Sequence, residues 1–437
     1  MHMSLESIGL LIPDILLPSA QVDKHAWSVI ACDQYSSDLL YWQEVEALSR
    51  GKASSLNMIF PEAYLQRRNP ETIIDSIHAA MATYSDDGTL EEHKKVLTLC
   101  RRRCSDGRER KGVMVALDLE HYDYTAGAQT LIRATEGTIV ERLPPRIKVR
   151  QQASIECPHI MVLIDDPEHS VIEPLFEEPA QTVYDFDLMQ NGGHVNGSII
   201  SDENCHQRFA QALIALGKAD FFQRKYGCSE DYKPLLFAMG DGNHSFATAK
   251  LIWETMKEQQ GLAAVVNHPA RYALVELVNL YDPSLEFEAI HRVLFNVKPT
   301  DFIQGFTKFS AEQGISVELA DTENAQQDVH SIGMVFEGYS GWLNISKPKQ
   351  QLAVGSLQLF IDHYLQNNPK TRVDYIHGEM ATHTLGKNAG NMGFVLPAIC
   401  KHSLFKTVIF DGALPRKTFS MGEANDKRFY LESRRLV

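Results

Sequence analysis

No stretch of this chain approaches the roughly 20 apolar residues of a membrane span. The run Ile8–Leu17 is short and is broken by Pro13 and Asp14. The opening residues lack the basic, then apolar, then small-residue order of a signal peptide. Positive charge is scarce: 42 Lys and Arg stand against 56 Asp and Glu, a formal net charge of −14. That balance repels nucleic-acid phosphates and anionic membranes over most of the surface, yet a local basic cluster could still hold a small anion. Cysteine is sparse and odd in number, seven in all. Cys100 and Cys104 find no second pair to complete a zinc site, so the thiols are expected to be free, as in a reducing cytosol. There is no fixed-period repeat and no low-complexity segment.

What is present is an ordinary globular composition, 44% hydrophobic and 22% charged over 437 residues. That is too much chain for one core. Trp27–Cys32 reads as a buried strand. A helical pattern opens at Pro70 and extends towards Arg103, with Ile73, Ile77, Met81 and Tyr84 near one face and a break at Asp86-Asp87-Gly88. Residues 112–200 look β-rich, with strand-like runs that include Gly112–Leu119, Thr138–Arg142 and His159–Ile164. Asn191-Gly192-Gly193 carries a hairpin signal. Beyond Pro299 the rhythm changes to a helix, short strands around Gly338–Gly341, and a helix near Ser356–Gln366. The division expected is 1–298, a β-rich region with a strand-turn-helix centre, and 299–437, a smaller α+β domain.

The segment richest in chemistry is Pro234–Gln260. Pro234–Met239 reads as a buried strand, Gly240-Asp241-Gly242 as a tight turn, and Asn243 to about Gln260 as a helix stopped by Gly261. Strand, glycine turn, helix is the recipe for an anion site, because the first helical N–H groups lack partners and carry the positive end of the dipole. Gly240 and Gly242 would let the backbone approach a phosphate. Asn243 or Ser245 can cap the helix or donate a hydrogen bond. Asp241 suits a Mg2+ ion shared with phosphate oxygens, and His244 could serve as a base. By residue types alone the same turn reads equally as a plain Asp-Gly turn, a capping asparagine and a packed histidine. No Gly-Lys-Ser/Thr follows, so it is not a Walker loop.

Seven segments together resemble a bacterial family, domain of unknown function 1015. They are Trp27–Tyr35, Ile132–Arg146, Pro158–Pro167, Gly240–Lys250, His268–Val278, Ile290–Val293 and Leu414–Arg428. The Asp-Gly-Asn-His-Ser turn is also similar to the phosphate-gripping turn of the ParB/sulfiredoxin superfamily, whose members include free-serine kinases, CTP-cleaving DNA loaders and cysteine-repair enzymes. That resemblance implies an α+β fold with a ParB/sulfiredoxin-like mixed sheet. It implies Asp241 as the acidic residue near metal or phosphate, Gly242 as backbone donor and His244 as the motif histidine. Ser245 stands where the superfamily usually has arginine, so a bidentate guanidinium is lost. Arg133 and Arg146 are the replacements expected, Glu136 is a candidate base, and Arg292 could close the same site.

Other clusters read more weakly. Asp165-Asp166 ends a strand before a proline, as turns do. His377, Glu379 and His383 match no zinc spacing. Arg416, Lys417, Lys427 and Arg428 could grip a phosphate, meet a partner domain or face solvent. The expected function is Mg2+-dependent phosphoryl transfer from ATP or ADP to a small hydroxylated metabolite, with free serine the first analogue to try. Hydrolysis of a nucleotide or phosphoester at the same turn, and sensing without turnover, are the alternatives. Nucleic acid and membrane are not expected as partners; a homodimer is allowed for.

Overall fold

The computed structural model describes residues 5–437 except 105, 126, 139–142 and 327. The strand expected over Thr138–Arg142 therefore lies, but for Thr138, outside the described residues. The chain divides into two units, Met1–Leu285 with Gly422–Val437, and Glu286–Met421. Each combines helices with a sheet, so the protein is α+β. Among the described residues no helix is long and apolar enough to cross a membrane.

The first unit is built on a nine-stranded mixed sheet. From one edge its strands run Ile132–Arg133, Phe237–Asp241, Met161–Ile164, Tyr272–Asn279, Glu109–Asp118, Leu97–Arg103, His194–Ile200 and Gln181–Asp187, with Leu10–Leu11 beside Glu109–Asp118. Ile132–Arg133 is parallel to Phe237–Asp241, and Met161–Ile164 is parallel to Tyr272–Asn279; the other pairings are antiparallel. The sheet is covered on both faces, which its side-chain alternation records. Val113, Val115 and Leu117 enter one core with Phe209, Phe246 and Trp253. Met114, between them, enters a second core with Trp27, Trp42, Met81 and Tyr430.

Several local expectations shift. Trp27–Ala31 is buried as expected and Cys32 is half-buried, but the segment is no strand: Asp23 caps a short helix, Lys24–Trp27, by accepting from the His25 and Ala26 N–H groups. The helix Pro70–Asp86 stops at the expected break, and Leu97–Arg103, read with it as helical, is a strand. The hairpin at Asn191–Gly193 joins Gln181–Asp187 to His194–Ile200.

The second unit holds an antiparallel sheet ordered Ser316–Ala320, Tyr339–Ser346, Val329–Phe336, Asn391–Val395, Phe287–Phe295, Arg372–His377, with Phe419–Met421 also on Phe287–Phe295. The helices Pro299–Ala311 and Ala353–Asn367 supply Phe302, Phe306, Leu357 and Phe360 to its core. The division therefore falls before Phe287, not at residue 298, because Phe287–Phe295 is an interior strand of this sheet. The tail, assigned from sequence to the C-terminal domain, returns instead to the first unit. Phe429 bridges Ile30, Ser433 bridges Leu16, and Arg434 pairs with Glu156.

A buried ion network fixes that return. Glu276, on Tyr272–Asn279, accepts from Arg428 Nη1 at 2.7 Å and from Arg110 Nε at 3.2 Å. Arg428 also pairs with Glu432, and all four side chains are buried. Gly112 keeps the path open, since a Cβ there would run into the Glu276 carboxyl group.

Candidate active site

The strand Phe237–Asp241 delivers its last residue to a turn in which Gly242 adopts φ +80°, and the helix Asn243–Gln260 starts immediately after. Phe246, Ala249 and Trp253 bury the helix against the sheet, and Gly261, also at φ +80°, ends it. Gly242, at the N-cap, has no side chain to cap with, so among the described residues no N-cap side chain closes the positive end of the helix dipole. Asn243 Oδ1 is buried without a hydrogen-bond partner among the described residues. Asp241 Oδ1 accepts the Gly242 N–H at 2.8 Å, and its Oδ2 lies 3.2 Å from Lys427 Nζ.

Gly242 is required twice over. Its φ is left-handed, and a Cβ would stand 3.0 Å from both Cα and Cγ1 of Ile160 on the neighbouring chain segment. Gly242→Ala is expected to destabilise by about 1–3 kcal/mol plus the cost of moving Ile160. Gly227→Ala, at φ +64° in open space, should show the conformational part alone; equal losses of melting temperature would refute the crowding.

Beyond the turn, Ser245 Oγ is 3.0 Å from His159 Nε2, and His159 Nδ1 is 2.8 Å from the Tyr430 hydroxyl. That hydroxyl also accepts the Cys32 N–H at 3.1 Å. The backbone holds these pieces in place, since Tyr430 N–H donates to Val29 O and Ala31 N–H to Arg428 O. Asp33 Oδ2 lies 3.7 Å from His159 Nε2, so one ring nitrogen faces both a hydroxyl and a carboxylate. Burial by itself would raise the Asp33 carboxyl, but His159, the Gln34 amide, Arg146 and Lys427 outweigh it and hold the group below its ordinary range. Burial, and then Asp33, push the Cys32 thiol up to about 12, and burial does the same to Cys157. Both stay protonated near neutrality, which removes them as nucleophiles.

A cavity of about 140 Å³ opens at this cluster, with Ser245, Thr248, His159, Tyr430 and Cys32 in its wall. Arg146 lines it too and is ion-paired with Glu62.

The residues expected from sequence separate here. Gly240 and Asp241 end the strand, Gly242 makes the turn, and Asn243, His244 and Ser245 are the first helical residues. Arg146 reaches the cavity. Glu136 is half-buried, one residue past Thr135, whose hydroxyl donates to Met239 O at 2.6 Å, so the chain there runs beside the end of the Phe237–Asp241 strand. His244 is half-buried, and its carbonyl accepts the Thr248 hydroxyl at 2.7 Å.

Arg133 turns the other way. Its guanidinium donates to Thr130 O and to Lys233 O, beside the beginning of Phe237–Asp241, and burial lowers its pKa to about 10. Arg292 belongs to the second unit, where it is fully buried and donates to Gln358, Ile290 O and Arg416 O. Of the basic tail cluster, Lys427 meets Asp241, Arg428 is spent on Glu276 and Glu432, and Arg416 and Lys417 lie in the second unit against Tyr375. Asp33, His159 and Tyr430 were not singled out from sequence. Asp33 and His159 do lie within two of the segments that carry the family likeness, and Tyr430 lies just beyond a third.

Among curated proteins none matches this chain. Among solved structures, a free serine kinase variant in complex with AMP is 10% identical, covering 74% of this chain and 92% of that one at a TM-score of 0.40. A conserved hypothetical protein from Pyrococcus furiosus is 9% identical, with coverages of 74% and 95% and a TM-score of 0.37. SbnI with a C-terminal truncation, from Staphylococcus aureus, is 8% identical, with coverages of 73% and 82% and a TM-score of 0.35. The sequence profile described as "Protein of unknown function (DUF1015)" matches residues 16–364, and the chain belongs to that family.

Proposed function

We propose that the protein binds a nucleotide with its phosphates at the start of the Asn243–Gln260 helix and transfers a phosphoryl group to a small hydroxylated molecule. The observation that carries this reading is the placement of Lys427 3.2 Å from Asp241 at an uncapped helix N-terminus, beside a cavity that holds Arg146, His159 and Ser245. Phosphoryl transfer asks a protein mainly for positioning and charge stabilisation. Lys427, Arg146 and the helix dipole supply the positive charge in place of the missing motif arginine.

Asp33 is the base this arrangement favours, because nearby positive charge keeps it ionised. As the acceptor oxygen bonds to phosphorus, the bridging P–O bond to the nucleotide breaks and the acceptor proton passes to Asp33. His159, held at Nδ1 by Tyr430, presents Nε2 to both Asp33 and Ser245 and orients the carboxylate.

Among the described residues no group of three His, Cys, Asp or Glu side chains could hold a metal by itself. Asp241, whose side chain is 27% exposed, fits a Mg2+ ion that shares phosphate oxygens, since Mg2+ is commonly held by one or two carboxylates plus substrate phosphates. Such an ion would supply neutralisation of the phosphate charge.

Thermal melts with ATP, ADP and CTP, with and without Mg2+, test the reading. A nucleotide at 100 times its dissociation constant should add about 2.7 kcal/mol, and so several degrees. Lys427→Met should abolish the shift, and Asp241→Asn should remove its Mg2+ dependence. An undiminished shift in Lys427→Met, or no shift with any nucleotide, would sink the proposal. Phosphate released without an acceptor would mark a hydrolase, and saturable binding without turnover a sensor.

A further inference from the structure

The cavity beside Ser245 has Ser245, Thr248, His159, Tyr430 and the ion-paired Arg146 and Glu62 among its polar groups. Met58, Ile59, Phe60, Leu65, Met81 and Val149 form an apolar chamber in the same wall. Met58, Ile59, Phe60 and Met81 are each no more than 6% exposed. Arg150 and Glu156 also line this part, but Glu156 is bonded to Arg150, to Arg434 and to the Leu274 N–H. Water placed against such walls lacks hydrogen-bond partners. Apolar cavities of this size, about 150 Å³ in an engineered case, stay dry and take up benzene.

We infer that the acceptor is an amphiphilic alcohol: a hydroxyl group beside Ser245 and His159, the latter 3.7 Å from Asp33, joined to an apolar body of roughly ring size that fills the apolar chamber. This rests on the phosphoryl-transfer reading for the direction of the chemistry, but the chamber's preference is a binding property measurable without it. Free serine fits poorly. Its one methylene leaves the chamber empty, while its ammonium and carboxylate would have to be desolvated against apolar side chains. A nucleotide base fits poorly too, because its ring nitrogens and exocyclic groups would be buried without partners. The base is therefore assigned outside the chamber and the acceptor's carbon body within it.

The test is a ladder of alcohols bound directly to the full chain without nucleotide, read by calorimetry or ligand-observed NMR: ethanol, 1-butanol, 1-hexanol, 2-phenylethanol and serine. Each added methylene should tighten binding by about fourfold until the chamber is full, with 2-phenylethanol among the tightest and serine not measurable. Val149→Phe, which fills the chamber from a half-buried helix position, should weaken 1-hexanol and 2-phenylethanol at least tenfold and leave the nucleotide-induced thermal shift as it was. A flat ladder, or serine binding as tightly as 1-hexanol, overturns the inference and leaves the nucleotide site untouched. Loss of the nucleotide shift in Val149→Phe also overturns it, by giving the chamber to the base. A normal ladder with no nucleotide shift in the wild type would instead sink the phosphoryl-transfer reading and keep the apolar chamber.

Discussion

Replacing Glu276 by Gln is expected to lower the melting temperature by about 6 °C or more, from a loss of roughly 3–5 kcal/mol. The size follows from what is stranded. Arg428 and Arg110 both donate to this carboxylate, and both are buried. Glutamine keeps the volume and one acceptor but leaves two desolvated cations facing too little negative charge. The exposed Arg224–Asp220 pair is the comparison, and its removal should leave melting nearly unchanged.

The pH dependence has a definite sign. Burial would raise the Glu276 carboxyl, but Arg110 and Arg428 prevail and hold it at about 2, below its ordinary 4.5. A depressed folded-state pKa gives stability that is present above about pH 4.5 and is lost as the pH falls towards 2. Glu276→Gln should flatten that part of the acid limb in a pH series of melts. If the variant melts with the wild type, or its acid limb is unchanged, the network does not fix the tail. The variant should also weaken nucleotide binding, since Arg428 lies between Lys427 and Tyr430 in a segment that this network anchors.

Asp33→Asn carries the largest functional expectation, a fall in turnover of about 10²–10⁴-fold with nucleotide binding retained. Asparagine keeps the shape and the proximity to His159 but cannot accept the acceptor's proton. The two quantities must separate: the thermal shift with nucleotide persists while phosphoryl transfer collapses. Full turnover in Asp33→Asn would remove Asp33 as the base and leave Glu136 and His244 as the other candidates. Because positive neighbours hold the Asp33 carboxyl below its ordinary range, the acid limb of the rate profile should lie lower than an unperturbed aspartate would give.

What was legible in advance was whatever rests on neighbours in sequence. A strand, a turn at Gly242 and the helix from Asn243 to Gln260 follow from apolar periodicity and from Gly242 and Gly261 at positive φ, which are short-range causes, although the strand runs over Phe237–Asp241 and takes in Gly240 and Asp241, not Pro234–Met239. The hairpin at Asn191–Gly193 and the break after Asp86 belong to the same class. Leu97–Arg103 deceived because its charged residues suit a helix surface; as a strand its pairings run to Glu109–Asp118 and His194–Ile200. The choice of cation was equally hidden. Arg133 and Lys427 are both basic residues in segments of the family likeness, but the Arg133 side chain turns towards the start of the strand while Lys427 arrives at its end.

The sequence by itself determined the local scaffold of the site and the chemical types available to it: a helix that starts after a glycine turn, an aspartate beside it, and a chain with a net charge of −14. Only the tertiary structure decided which partners complete it. Asp33, His159 and Tyr430 come together because the tail crosses back to pair with residues near the start of the chain, as Phe429 does with Ile30. A buried ion network holds it there. Such pairing depends on burial and charge compensation across hundreds of residues of separation, for which a local stretch of sequence carries no periodic or turn signal.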